Sequence, residues 1–378
     1  MMKTMSSQVV ENSGKKVFVG LSGGVDSAVS AALLLRAGYD VTGVFIKVWQ
    51  PDWIECSWKE DRREAMRVAA HLGIPFVTLD LEKEYKEGVI DYMIAEYRAG
   101  RTPNPDVMCN REVKFGGFWQ WAHAQGARYV ATGHYSRSMK YEVLSMKEKE
   151  KSHSETKYAL LTGKDANKDQ SYFLWTLRQG DLEHILFPVG DIPKPEVRKL
   201  AKKLKLPNAD RKDSQGLCFI GKVDVKEFLR HYITTAQGNV LNESGEVIGT
   251  HPGALLFTIG ERHGFTITER TPHDDPYYVV SKDAEKNILT VSNKKSDQEK
   301  VSPKVEITRC NWINEIPVGG TTLKARGRYR QGLSSIEIIK AEADTAIVRF
   351  EHTDTSLTPG QSLVIYDGER CVGGGVLT

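Results

Sequence analysis

At 378 residues the chain is too long for one ordinary core, so two or three domains are expected. A composition of 40% hydrophobic and 27% charged residues is that of a soluble globular protein, and no apolar run is long enough to cross a bilayer, which argues against a helical membrane protein. The net charge of +3 neither demands nor excludes a nucleic-acid partner, so the basic clusters at 198–205, 211–212 and 324–330 carry more weight than the sum.

Residues 1–16 are polar and lack both the apolar core of a secretory signal and an arginine-rich transit pattern. A disordered tail over 1–15 and a cytoplasmic address are expected. Strand-like and helix-like segments then alternate: a strand at 16–21, a helix at 26–37 stopped by Gly38, and a strand at 41–48. A helix at 62–72 stopped by Gly73, a strand at 76–79, a helix at 114–125 and a strand at 129–131 continue the pattern. It predicts a parallel sheet covered on both faces, with ligands beyond the C-terminal strand ends, where the loop 22–27 and Gly133-His134 both fall. The charged stretch 147–156 reads as an exposed loop between strands at 141–144 and 158–161. Short helices at 194–204 and 225–232 and Gly-punctuated strands fill a middle section. From 277 onward, short strands at 277–281, 288–291, 321–329, 336–341, 345–350, 362–366 and 371–377, with a hairpin turn at Asp367-Gly368, predict an antiparallel β-barrel. The expected division is an α/β catalytic domain over 16–221 (181–206 packing with the centre), a small α+β domain over 222–276, and a barrel over 277–378.

The loop Ser22-Gly23-Gly24-Val25-Asp26-Ser27 joins the first strand to the first helix. Its glycines let backbone N–H groups approach a phosphate, and the helix N-terminus adds positive potential. Ser22 and Ser27 supply hydroxyls, and Asp26 is suited to holding Mg²⁺ or orienting the loop. The loop has neither a Walker A lysine nor the Gly-x-Gly-x-x-Gly pattern. It resembles the pyrophosphate loop of the PP-loop ATP pyrophosphatases, which implies cleavage of ATP between the α and β phosphates and adenylation of an oxygen.

Five scattered cysteines (Cys56, Cys109, Cys218, Cys310, Cys371) with no Cys-x-x-Cys argue against a disulfide framework and a structural zinc site, and no metal site is expected. Cys310 and Cys371 sit in apolar strand patterns and read as small buried hydrophobes; Cys56 is open to either reading. Cys109 follows Thr102-Pro103-Asn104-Pro105-Asp106, where the prolines argue for a stiff loop, and Asp106 is a candidate acid/base. Cys218 lies in a glycine-flanked segment after the basic run 202–212, whose cations would favour its thiolate.

Asn104-Pro105-Asp106…Cys109-Asn110, Thr132-Gly133-His134-Tyr135, Lys168-Asp169-Gln170-Ser171, Gly216-Leu217-Cys218-Phe219, Arg328-Tyr329-Arg330-Gln331 and Pro359-Gly360-Gln361 follow the loop in that order. Together they closely resemble the tRNA-specific 2-thiouridylase (MnmA) family, from about residue 16 to the C-terminus. The resemblance implies a sulfurtransferase that adenylates the C2 oxygen of the wobble uridine in tRNAs for Lys, Glu and Gln. A persulfide on Cys218, loaded by a sulfur carrier or cysteine desulfurase relay, would deliver sulfur, and Cys109 would resolve it to a Cys109–Cys218 disulfide. The same resemblance places Gly20, Leu21, Ser22, Gly23, Gly24, Val25, Asp26, Ser27, Ile46 and Gly133 around ATP. It puts Asn104, Pro105 and Asp106 at the target base, and His134, Lys168, Asp169, Gln170, Arg328, Tyr329 and Gln361 against tRNA.

Three other readings are compatible with the residues. A PP-loop ligase of the argininosuccinate-synthetase type would use ATP without the cysteine pair. An iron–sulfur thiolase would use Cys109, Cys218 and Cys56 as ligands. A non-catalytic RNA-binding module would use the barrel and leave the loop idle.

Overall fold

Val17, Phe18 and Val19 are buried on both faces of the strand Lys16–Gly20 (β1), as a central parallel strand requires. In the computed structural model, which describes residues 12–54, 58–145, 153–213, 224–268, 275–293, 304–351 and 357–378, β1 is the middle of a five-stranded sheet. The helix Val25–Arg36 (α1) follows it and ends where Gly38 takes φ 88°. Next come Asp40–Lys47 (β2), Trp58–Leu72 (α2) and Phe76–Asp80 (β3). A helical run over 82–98 (α3) and another over 105–124 (α4) precede Tyr129–Ala131 (β4). The strand order is β3-β2-β1-β4 and then Ile185–Leu186, every pair parallel. Chain order reverses between β1 and β4, which opens a crevice at their C-terminal ends. One sheet face is covered by α1, α2 and a later helix through Val29, Val68 and Val197; the other is covered by α3 and α4 through Val89, Met93 and Phe118.

A helix before the segment 101–110 was expected, but without bounds; α3 supplies it. Its apolar residues Tyr85, Val89, Ile90, Met93, Ile94 and Tyr97 do recur at helical spacing, but Gly88 interrupts the pattern. Gly88 is there for packing: a Cβ would lie 2.8 Å from the Glu112 side chain of α4.

After β4 the hairpin Ser136–Ser145 (β5) and His153–Thr162 (β6) leaves the catalytic sheet. The strand β6 already includes His153–Thr156, which the charge pattern assigned to the loop, and β6 pairs with the barrel's last strand at Arg370↔Leu161 and Cys371↔Leu160. The short strand Ile185–Leu186 (β7) and the helix Lys194–Lys203 (α5) then return to the catalytic domain.

The helix Val225–Arg230 (α6) opens the central domain. Its sheet is built from Gly238–Leu241 (β8), Val247–His251 (β9), Thr266–Ile267 (β10), Tyr278–Asp283 (β11) and Ile288–Ser292 (β12), in the order β10-β9-β8-β12-β11. This corrects the expected boundary at 277. The strand β12 pairs in parallel with β8, so β11 and β12 belong to the central sheet, and their sequence alone does not show which sheet they join.

The C-terminal strands Lys304–Trp312 (β13), Thr322–Arg326 (β14), Ser334–Ala341 (β15), Thr345–Phe350 (β16), Ser362–Asp367 (β17) and Arg370–Leu377 (β18) form a barrel closed by β13–β18 pairing. Closure removes the edges an open sheet would expose. Ile307, Ile336, Val348, Phe350 and Leu363 fill it.

The segment 163–177 seats the barrel on the catalytic domain. Asp169 is 5% exposed, ion-pairs with Arg326 of β14, and accepts from Gly163 N at 3.0 Å and Ser171 Oγ at 3.0 Å. Tyr172 Oη donates to the carbonyls of Gly327 and Ser362, each at 3.0 Å. Removing one member of a buried pair strands the other charge, at a cost of about 3–5 kcal/mol. Arg326→Met should therefore destabilise the protein by about that amount in urea unfolding; a change under ~1 kcal/mol would show that the pair does not hold the barrel in place.

Candidate nucleotide and target-base cleft

The phosphate loop folds around its own serines. Ser27 Oγ donates to the Gly24 carbonyl at 3.1 Å and accepts from Ser22 N at 3.3 Å, and Ser30 Oγ donates to the Asp26 carbonyl at 2.8 Å. The N-cap residue of α1 is Gly24, which makes no side-chain cap bond, and the N–H groups of a helix's first turn are suited to meeting an anion. Gly23 has φ +78°, and a Cβ there would lie 2.6 Å from the Asp61 carbonyl oxygen. Its own carbonyl accepts from Asn208 Nδ2 at 2.8 Å and Arg211 Nη1 at 3.1 Å. Gly133, at the end of β4, packs so closely that a Cβ would meet Ser27 N at 2.8 Å.

The loop opens on a cleft of about 570 Å³. Val44, Phe45, Ile46, Val48 and Trp58 form an apolar wall suited to a purine, while Lys114, Lys168, Lys212 and Arg330 bring positive charge. Lysine is therefore absent from the loop but present in the cleft, where Lys168 is paired with Asp213. Of the expected nucleotide residues, Gly20, Leu21, Ser22, Gly24, Val25, Asp26, Ser27, Ile46 and Gly133 line the cleft, and Gly23 lies behind it as the loop's pivot.

Asp26 is engaged by protein groups. Lys194 Nζ, on α5, donates to its two oxygens at 2.7 and 2.8 Å, and Tyr135 Oη donates at 2.7 Å. Burial first, and then Asp26, pushes the Tyr135 phenol far up, so it stays a donor. Of its two expected roles, Asp26 is thus seen in loop orientation. No cluster of three or more His, Cys, Asp or Glu suited to a metal occurs among the described residues. Lys194 also pairs with Asp213 at 2.9 Å, and Lys168 and Arg198 reach the same carboxylate at 2.8 and 2.6 Å. Burial works against that charge, but the bonds from Lys168 and Lys194 outweigh it and hold the Asp213 carboxyl well below the ordinary range. Asp213 precedes Cys218 by five positions in sequence; Cys218 and Cys56 lie outside the described residues.

The first turn of α4 forms the cleft's other chemical wall. Against expectation the prolines start a helix there: Asn104 caps it, its side chain accepting from Val107 N at 3.3 Å, and Pro105 takes the first helical position, where no N–H is needed. Asp106, Asn110 and Lys114, spaced by four, line the cleft. Cys109 is fully buried and does not line it; Asn104 lines a separate cavity of about 280 Å³ with Met108 and Arg111. Cys310 and Cys371 have thiols pushed by burial up to about 12, so both are poor nucleophiles, as their strand positions suggest.

Of the expected tRNA contacts, His134, Lys168, Gln170 and Tyr329 line the cleft. Three are occupied inside the protein. Asp169 is the buried partner of Arg326, and Arg328 donates to the Ile259 carbonyl and Thr358 Oγ1 at 2.8 and 3.1 Å. Gln361 Nε2 donates to the carbonyls of Thr102 and Pro103 at 2.8 and 3.0 Å, and so steadies the turn before α4. Motif position alone does not separate such internal roles from contacts. Lys114 and Tyr135 were not singled out as site residues; in the basic stretch 194–212, which the resemblance places against the RNA backbone, Lys194 is instead bonded to Asp26 and Lys212 lines the cleft.

His134 is buried, bonds Thr132 Oγ1 at 2.7 Å, and has its pKa lowered well below the ordinary value, first by burial and then by Lys114. The unfolded chain therefore binds its proton more readily, and stability should fall as pH drops below about 6.5. His134→Gln should flatten that slope in urea titrations from pH 7 to 5; an unchanged slope would remove His134 as a source. Gly23→Ala and Gly133→Ala should each weaken adenine-nucleotide binding about tenfold or more while the protein stays folded, and wild-type affinity in equilibrium binding would contradict the loop geometry.

Family comparisons agree with this architecture. Residues 15–222 match the model described as a tRNA methyl transferase HUP domain, 226–293 the corresponding PRC-barrel domain, and 302–377 an aminomethyltransferase beta-barrel domain. The second match spans α6 and the central sheet, and the third spans the barrel strands. The chain is 42% identical to the tRNA-specific 2-thiouridylase MnmA of Shewanella putrefaciens, over 99% of this chain and 98% of that one. It is 41% identical to the protein of the same name from Lacticaseibacillus paracasei, over 98% and 96%. The domain descriptions carry a methyltransferase name, but these two relatives, which span all three domains, are named thiouridylases. The chain belongs to the tRNA-specific 2-thiouridylase family.

Proposed function

We propose that this enzyme thiolates the wobble uridine of tRNAs for Lys, Glu and Gln by activating its C2 oxygen with ATP. The observation that carries the reading is the shared cleft: the anion-binding end of α1 and the Asp106–Lys114 face of α4 open on one space. The C2 oxygen attacks the α-phosphorus of ATP and diphosphate leaves; Mg²⁺ would arrive with the nucleotide's phosphates. The terminal sulfur of a Cys218 persulfide attacks C2 and AMP departs. The Cys109 thiolate then attacks the Cys218 sulfur and breaks the S–S bond. This leaves C2=S on the base and a Cys109–Cys218 disulfide, which an external thiol reduces by two electrons. Asp106 serves as the acid/base group for the protons that move. A sulfur-carrier protein or cysteine desulfurase relay reloads Cys218. Cys109 is fully buried, and a disulfide with Cys218 requires their Cα atoms within about 7 Å.

Cys218→Ser should abolish 2-thiouridine in mass spectra of tRNA incubated with ATP, Mg²⁺ and a sulfur source, while AMP still forms. Cys109→Ser should keep adenylation and lose turnover. Normal thiolation by Cys218→Ser would remove the persulfide assignment, and absence of AMP from wild-type enzyme with any of these tRNAs would remove the activation step.

A further inference from the structure

Asn110 follows Cys109 and lines the cleft four residues beyond Asp106. It is 2% exposed, and its Nδ2 donates to the Phe173 carbonyl at 3.0 Å. A carbonyl partner can only accept, so the amide orientation is fixed and Oδ1 must be the free end. That oxygen is buried and has no hydrogen-bond partner among the described residues. A buried acceptor left unmade is costly, so its place at a substrate cleft points to a ligand that supplies an N–H. The apolar wall of Phe45, Ile46, Val48 and Trp58 accounts for adenine, and Asn110 belongs to a different wall, that of α4.

Uracil carries one donor on its Watson–Crick edge, N3–H, flanked by two carbonyl oxygens. Cytosine has an unprotonated, accepting N3 at the same place. We propose that Asn110 Oδ1 accepts from N3–H of the target uridine and is a specificity-determining residue, which admits uracil and repels cytosine by opposing two lone pairs. This rests on the placement of the target base under Proposed function. Adenylation of O2 requires N3 to lose its proton, and Asp106, on the same helical face, is beside it to take that proton. With Asn110 only 2% exposed, contact with the base requires a small local opening of the cleft wall at α4.

The test is a cycle of two enzymes and two tRNAs, read as equilibrium binding: wild type and Asn110→Ala, against tRNA with uridine or 3-deazauridine (C–H in place of N3–H) at the wobble position. Wild type should prefer uridine about tenfold, the scale of one well-placed hydrogen bond, and Asn110→Ala should bind both equally. The variant should also lose about tenfold of wild-type discrimination between U34 and C34 tRNAs in thiolation. Asn110→Ser, which is too short to reach, should behave alike, and unchanged ATP affinity certifies that the variants are folded. Retention of the uridine preference by both variants overturns the proposal. A wild-type enzyme that forms no AMP on U34 tRNA would instead overturn the function on which it rests.

Discussion

Lys194 Nζ sits between two carboxylates, Asp26 in the nucleotide loop and Asp213 at the threshold of the segment that carries Cys218. A nearly buried ammonium loses much of its hydration, and here that loss is offset by three oxygens within 2.9 Å. The consequence is positional. The loop that presents N–H groups to phosphate cannot move independently of residue 213, and Lys168 and Arg198 tighten the same knot. A lysine that lies far from the loop in sequence is thus bonded to the loop, while other cations line the cleft.

The site divides its work between two rigid ends of helices. The α1 terminus and the first turn of α4 open on the same space, the latter presenting Asp106 and Asn110 there while burying Cys109. Proline, which ordinarily breaks helices, is compatible with α4 because it occupies the first position behind an asparagine cap. Gln361, reaching across from the barrel to the carbonyls of Thr102 and Pro103, fixes where that helix starts. The barrel therefore contributes to the chemistry indirectly, and the buried Asp169–Arg326 pair keeps it in position to do so.

Much of this was legible in the sequence where a local rule sufficed. Gly38 and Gly73 stop helices, alternation gives a parallel sheet, and a glycine pair after a strand marks a phosphate loop. What was not legible depends on long-range partners. The strands β11 and β12 read as barrel strands because alternation does not say which sheet a strand will join. Asp169 read as an RNA contact because only the fold brings Arg326 to it across 157 positions. Lys194 read as part of a basic stretch lying against the RNA backbone, although it is buried against the loop 22–27.

The central claim is that the uridine's own oxygen leaves on AMP. A tRNA carrying ¹⁸O at C2 of the wobble uridine decides this directly, by mass analysis of the AMP released during thiolation. One ¹⁸O per AMP is the result this account predicts; unlabelled AMP formed alongside 2-thiouridine would contradict it.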